Sequence, residues 1–165
     1  MIVDFRELGI SEDLTGLLKK NGITVPTPVQ EQSIQYIRSG RDLIAQAQTG
    51  TGKTLAFLLP LFEDIDISKD QIQVLIMTPT RELAIQITNE AEKLREYKDI
   101  NILAAYGGRD IGSQLRKLKK SIHMVIATPG RLIDHILRKS IDLGSVNTFV
   151  LDEADQMLMM GFRNE

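Results

Sequence analysis

Ala47-Gln48-Thr49-Gly50-Thr51-Gly52-Lys53-Thr54 follows a short apolar run, Asp42-Leu43-Ile44-Ala45, and opens a segment of helical spacing. Strand, glycine-rich turn and helix, in that order, are the context in which such a stretch reads as the phosphate loop of a P-loop NTPase. Gly50 and Gly52 let the backbone turn tightly and aim successive N–H groups at one point. That concave nest, with the positive end of the helix behind it, attracts phosphate. Lys53 would bring its charge to the β- and γ-phosphates of a nucleoside triphosphate such as ATP, and the Thr54 hydroxyl would ligate Mg²⁺. Ala47 stands where the usual pattern has glycine, and a small residue is tolerable there. The plainer alternative, a glycine-rich turn with a chance Lys-Thr pair, does not account for the strand before and the helix after.

Four more apolar, β-branched runs lie downstream: Gln73–Met77, Asn101–Ala104, His123–Ala127 and Thr148–Leu151. Each is too short for a helix and most lack clean alternation, so together with Asp42–Ala45 they read as strands buried on both faces. Helical spacing follows them: Leu83, Ile87, Ala91 and Leu94; then Ile111, Leu115 and Leu118; then Leu132, Ile133, Ile136 and Leu137. This alternation predicts an α/β fold, a mainly parallel sheet flanked by helices with right-handed crossovers. Pro60 falls inside the helix after Lys53 and is expected to bend it or end it early. Residues 1–40 differ. Ser11, followed by Glu12 and Asp13, reads as a helix cap; Leu14, Leu17 and Leu18 give that helix its apolar face, and Asn21-Gly22 ends it. Pro26-Thr27-Pro28 forces extended chain before a second helix from about Val29 to Ile37. The expected division is a helical region, 1–40, ahead of an α/β domain, 41–165.

The chain has 165 residues, 42% apolar and 25% charged, which suits an ordinary globular core. It has no cysteine, so disulfides and Cys-ligated zinc are excluded. Met1–Arg6 carries Asp4 and Arg6 and reads as no signal peptide, and no stretch approaches the roughly 18 apolar residues that cross a membrane. A cytoplasmic location is the resulting expectation. The net charge of −2 argues against a global electrostatic nucleic-acid binder. The densest basic run, Arg116-Lys117-Leu118-Lys119-Lys120, reads as a solvated helix face. His123 and His135 lack a ligand-spaced partner and read as structural.

Phe149-Val150-Leu151-Asp152-Glu153 is an apolar strand that ends in two carboxylates. Ligands of parallel nucleotide-binding sheets sit at the carboxyl ends of the strands. Asp152 is therefore expected near Thr54, holding Mg²⁺ through water, and Glu153 is expected to orient and polarise the attacking water. Taken alone, the acids could equally cap the helix that follows.

Asp152-Glu153-Ala154-Asp155 also spells the signature of the DEAD-box RNA helicases, and other segments resemble that family in the expected order. Phe5, Gly22 and Pro26-Thr27-Pro28-Val29-Gln30 resemble its adenine-reading Q motif. Pro79-Thr80-Arg81-Glu82-Leu83-Ala84 resembles its first RNA-contact motif, Gly107-Gly108 with Gln114 its double-glycine motif, and Thr128-Pro129-Gly130-Arg131 the next RNA motif. Met157–Phe162 follows the family pattern too. The resemblance implies a RecA-like domain that binds ATP and Mg²⁺, with Lys53, Asp152 and Glu153 as its catalytic set, and that contacts RNA through Pro79, Thr80, Arg81, Glu82, Gly107, Gly108, Gln114, Thr128, Pro129, Gly130 and Arg131. Gln30 could bond N6 and N7 of adenine in bidentate fashion, beside Thr27, and Phe5 could stack on the base. Without the family, Gln30 reads as an exposed first-turn helix residue, and the Thr-Pro and Gly-Gly segments as ordinary turn chemistry.

The RNA segments sit after strands and before helices and are poor in aromatics. Binding should therefore go to the sugar–phosphate backbone, independent of sequence. The short lead before Phe5 resembles compact bacterial members. The resemblance also implies two features beyond Glu165: a Ser-Ala-Thr segment, whose strand lies between the phosphate-loop strand and the Asp152 strand, and a second helicase domain with arginine fingers. A truncated sequence is thus expected, with a gap in its sheet. RNA-stimulated ATP hydrolysis coupled to local duplex unwinding is the activity expected of the parent. For the isolated chain, a non-catalytic nucleotide-binding module is the alternative.

Overall fold

The computed structural model describes residues 4–108, 110–118 and 120–161. Phe162 of the family-like tail, Lys119 of the basic run and the first three residues lie outside them. The described elements are α1 (Glu12–Lys20), α2 (Pro28–Arg38), α3 (Lys53–Asp64), β1 (Val74–Met77), α4 (Arg81–Leu94), β2 (Ile102–Ala105), α5 (Ile111–Lys117), β3 (Met124–Ala127), α6 (Pro129–Leu137), β4 (Thr148–Leu151) and α7 (Ala154–Met159). The chain divides into two compact units. One comprises Met1–Asp64 and Lys93–Asp99, the other Ile65–Glu92 and Ile100–Glu165.

The first unit is helical. Ser11 caps α1, its hydroxyl accepting the Leu14 amide, and Gly22 takes the left-handed turn beyond the Asn21 C-cap at φ +78°. Phe5, Leu14, Leu18, Ile34, Leu58, Leu59 and Phe62 form its buried interior. Helix α3 does not end early at Pro60; it runs on to Asp64. A helix-interior proline costs about 3 kcal/mol. Leu61 and Phe62, just beyond it, are buried, and each such side chain returns about 1.5–3 kcal/mol, so packing overrides the break.

The second unit carries a four-stranded, fully parallel sheet in the order β2-β3-β1-β4. Residues of both parities are buried in β1, β2 and β3: Leu75, Leu103 and Val125 on one face, Ile76, Ala104 and Ile126 on the other. Such runs read as continuous rather than alternating because both faces of these strands are buried. One core packs Ile72, Leu75, Leu103, Ala105, Ile122, Val125, Ala127 and Leu132 together.

The fifth strand expected at Asp42–Ala45 is not formed. The segment is irregular, belongs to the first unit and leaves Ile44 99% exposed. A run this short becomes strand only when a neighbour takes its backbone groups. It pairs with no strand among the described residues, and β4 is the sheet's edge, with Phe149 and Leu151 half exposed.

Candidate functional site

In the first unit, the Q-like segment and the phosphate loop are tied together by one side chain. Thr27 is the N-cap of α2 and Pro28 its first residue, an arrangement that suits proline because the missing N–H would have no helical partner. Gln30, three residues on, accepts the Thr27 amide on Oε1 at 2.9 Å and donates from Nε2 to the Gly52 carbonyl at 3.0 Å. It is 2% exposed, which overturns the reading of an exposed first-turn residue. An amide side chain offers two donors and two acceptor sites, so each end of Gln30 keeps capacity for one more bond.

Gly50 and Gly52 both lie in the left-handed region, at φ +82° and +90°, which bends the loop before Lys53 begins α3. The Thr51 hydroxyl closes the turn onto the Gln48 carbonyl at 2.7 Å. The rest of the loop is open: Gln48, Thr49 and Gly50 are exposed, and Ala47, Thr51, Gly52, Lys53 and Thr54 are half-buried.

The loop fits a triphosphate. A Cβ on Gly52 would sit 2.5 Å from Gln30 Nε2 and 3.0 Å from Thr27 Oγ1, so only glycine closes the packed side. Thr27 Oγ1 is buried with no hydrogen-bond partner in the structure, a polar atom left over beside the loop. Phe5 is fully buried in this unit, so the stacking contact expected of it has no open ring face here. Its phenyl ring is core, and the sequence pattern alone could not separate the two roles.

In the second unit, parallel strands bring four segments to one edge of the sheet. Along that edge the order is Gly107-Gly108 after β2, Thr128–Arg131 after β3, Pro79–Glu82 after β1, and Asp152-Glu153 after β4. The ladder continues one residue past the strand ends, with Thr78 N–H bonded to the Ala127 carbonyl, Thr128 N–H to Ala105 and Asp152 N–H to Met77. Thr80 caps α4, accepting the Leu83 amide at 3.3 Å, and Thr128 caps α6 with Pro129 as its first residue. Arg81, Glu82, Gly108 and Gly130 are exposed; Thr80, Gly107, Thr128 and Arg131 are half-buried; Pro79 and Pro129 are buried.

Two of these segments interlock. The Arg81 guanidinium lies over the Tyr106 ring, 5.8 Å from its centroid, and a Cβ on Gly108 would fall 2.2 Å from Arg81 Nη1. Gly108 sits at φ +78°. Gln114 is 3% exposed rather than offered to solvent; its Nε2 donates to the Tyr106 carbonyl at 3.2 Å and its Oε1 faces His135 Nε2 at 2.8 Å. The Gln114 amide is thus engaged inside the protein, which argues against the direct RNA contact expected of it. Arg116, Lys117 and Lys120 are exposed, as the solvated-face reading of the basic run expects.

Sequence reasoning missed two features. Glu153 caps α7 in the left-handed conformation, φ 53° and ψ 46°, which L side chains other than asparagine and aspartate seldom adopt. Backbone strain of this kind clusters at working residues. His135, at 0% exposure, joins Gln114 to Ser140 Oγ, 2.8 Å from its Nδ1. Arg131, four residues before it on the same helix, ends the Thr128–Arg131 segment, but no sequence pattern marks the bond across to α5. Among the described residues there is no cluster of three or more His, Cys, Asp or Glu side chains that could hold a metal. No helix of the described residues is long and apolar enough to cross a membrane.

A glycine-bent phosphate loop that opens a helix, and a parallel sheet with paired acids and three donor-rich turns at one edge, are the features of a RecA-like class of protein. The family model for DEAD/DEAH box helicases matches residues 27–165, and the chain belongs to that family. It is 50% identical over 158 residues to the DEAD-box ATP-dependent RNA helicase CshA of Bacillus cereus, which covers 96% of this chain and 30% of that protein. It is 48% identical over 162 residues to CshA of Bacillus subtilis, covering 98% of the chain and 33% of that protein. The chain thus spans about a third or less of the length of the curated relatives it matches. The crystal structure of a DEAD box protein from the hyperthermophile Methanococcus jannaschii superimposes with a TM-score of 0.89 at 40% identity, covering 97% of this chain and 44% of that one.

Proposed function

We propose that this chain is the ATP- and RNA-binding front domain of an RNA helicase whose full-length form couples ATP hydrolysis to local unwinding of RNA duplexes in the cytoplasm. The observation that carries the reading is the Gln30 side chain, which joins the Q-like segment to the Gly52 carbonyl inside the phosphate loop. A base held by Gln30 would thereby be sensed at the loop that holds the phosphates. Gln30, with Thr27 beside it, reads adenine; the amides of 47–52 cradle phosphate; Lys53 neutralises the β- and γ-oxygens. Thr54 and, through water, Asp152 would be the residues for Mg²⁺, which would supply positive charge to offset that of the phosphates. Glu153 orients and polarises the attacking water.

The rim of Pro79, Thr80, Arg81, Glu82, Gly107, Gly108, Thr128, Pro129, Gly130 and Arg131 takes the sugar–phosphate backbone of single-stranded RNA. Helix-start amides, hydroxyls and guanidinium groups are the donors that phosphates and 2′-hydroxyls accept. With so few bases read, binding is independent of sequence.

The test is equilibrium binding of ATP and GTP to the chain. ATP is expected to bind more tightly than GTP, Gln30→Ala to erase that preference, and Lys53→Ala to abolish binding of both. Equal affinities in the unaltered chain would sink the adenine-reading role.

The chain's span of 30% of its Bacillus cereus relative favours a second reading for the isolated piece, a nucleotide-binding module without turnover. ATP hydrolysis by the 165-residue chain alone, with RNA present, decides between them.

A further inference from the structure

A chain of buried polar groups runs behind the RNA-like rim. Tyr106, Gln114 and His135 are 2%, 3% and 0% exposed, and they are linked in series. The Gln114 amide donates from Nε2 to the Tyr106 carbonyl at 3.2 Å, which turns its Oε1 toward His135 Nε2, 2.8 Å away. A carbonyl oxygen only accepts, so His135 Nε2 carries the hydrogen in this network.

On its other side, Nδ1 lies 2.8 Å from Ser140 Oγ, which is also 3.0 Å from the His135 carbonyl. Burial first, then the Arg131 cation, push the imidazole below its ordinary pKa of 6.5; Asp134 pulls the other way less strongly than Arg131, and Arg138 adds the smallest push down. Among the described residues its ring nitrogens meet the neutral Gln114 and Ser140. The ring is neutral, and its Nδ1 shares the single Ser140 hydroxyl hydrogen with the His135 carbonyl.

The Tyr106 carbonyl immediately precedes Gly107-Gly108, the turn against which Arg81 also lies. Arg81 of α4 and Gln114 of α5 thus both reach this turn, and His135 of α6 is linked to it through Gln114. An apolar side chain would fill the α6 position without the desolvation that three buried polar groups require. A fully satisfied network of this kind instead fixes geometry.

We propose that His135 is a positioning residue for RNA binding: its bond to Gln114 sets the amide that holds Tyr106, and thereby fixes the double-glycine turn relative to the helix start that carries Arg131. This rests on the reading of the rim as the RNA-binding face. His135 itself touches no RNA.

The test uses the full-length protein and a mixed-sequence single-stranded RNA oligonucleotide. It reads the RNA concentration for half-maximal ATPase stimulation, the KM for ATP and the thermal midpoint. His135→Leu is expected to raise the RNA half-saturation roughly tenfold, on the scale of one lost buried hydrogen bond, with the ATP KM within about twofold. His135→Gln, whose amide can donate toward Gln114, should stay within about threefold of the unaltered protein, and Ser140→Ala should raise the half-saturation roughly threefold. Should His135→Leu fail to fold, the glutamine and Ser140→Ala variants decide. An unchanged RNA half-saturation in His135→Leu or Ser140→Ala overturns the proposal. So does damage in His135→Gln equal to that in His135→Leu, or an ATP KM that moves in step with the RNA value. If the unaltered enzyme is not stimulated by RNA at all, the rim reading falls and the proposal with it; stimulation that the variants leave untouched defeats the His135 role alone.

Discussion

Replacing Gly52 with alanine should be costly because of Gln30, and the cost can be worked from the structure. Gly52 sits at φ +90°, where an L side chain pays about 1–2 kcal/mol. The new Cβ would lie 2.5 Å from Gln30 Nε2, and Gln30 is 2% exposed, so its amide has no open solvent to swing into. Displacing it breaks the bonds to the Gly52 carbonyl and the Thr27 amide, each worth about 1 kcal/mol net. The expected loss is about 3–4 kcal/mol. Gly50→Ala is the control: its φ is similar, but the added carbon meets nothing within 4 Å, so only the strain of about 1–2 kcal/mol applies. Gln30→Ala should cost about 2 kcal/mol through the same two bonds, and the double variant Gln30→Ala, Gly52→Ala no more than Gly52→Ala alone, a non-additivity of about 2 kcal/mol. Urea unfolding of the chain followed by circular dichroism reads all four values. Strict additivity, or a Gly52→Ala cost no greater than that of Gly50→Ala, would refute the argument.

Other outcomes follow from the strained and buried groups. Glu153→Gly should relieve the left-handed backbone and raise unfolding stability by about 0.5–1 kcal/mol while turnover of the full-length enzyme is lost; a destabilised variant contradicts the strain. Because burial lowers the folded-state pKa of His135 below 6.5, its contribution to stability is fully present above that pH and is lost as the pH falls below it. Thermal midpoints of the chain should therefore drop on acidification from pH 7.5 to 5.5, and the drop should be smaller in His135→Gln; equal slopes count against a neutral buried imidazole. Arg81→Lys keeps the charge but loses the planar contact with Tyr106, so RNA affinity of the full-length protein should weaken by about 0.5–1 kcal/mol in filter binding, whereas full retention would show that the stacking is idle.

Much of this was legible in the residues. The glycines at 50 and 52, the Ser11 cap and the strand–helix alternation from Gln73 onward each impose a local geometry that packing did not overturn. The failures share a cause, which is dependence on partners remote in sequence. Asp42–Ala45 has the composition of a strand, but a ladder needs a neighbour. Pro60 carries a local penalty that the burial of Leu61 and Phe62 outweighs. Gln114 and Gln30 look like surface amides in a linear reading, and only the fold closes Tyr106, His135, Thr27 and Gly52 around them. The left-handed Glu153 has no signature at all, since glycine or asparagine would be the residues to announce it.

The central claim is that Gln30, Lys53 and Glu153 serve one RNA-dependent ATPase. Steady-state ATP turnover by the full-length protein, with and without single-stranded RNA, and with Glu153→Gln in parallel, tests it most directly. The account predicts strong stimulation by RNA, little by duplex DNA, and a Glu153→Gln enzyme that still binds ATP but does not turn it over. Turnover indifferent to RNA, or undiminished in Glu153→Gln, would contradict it.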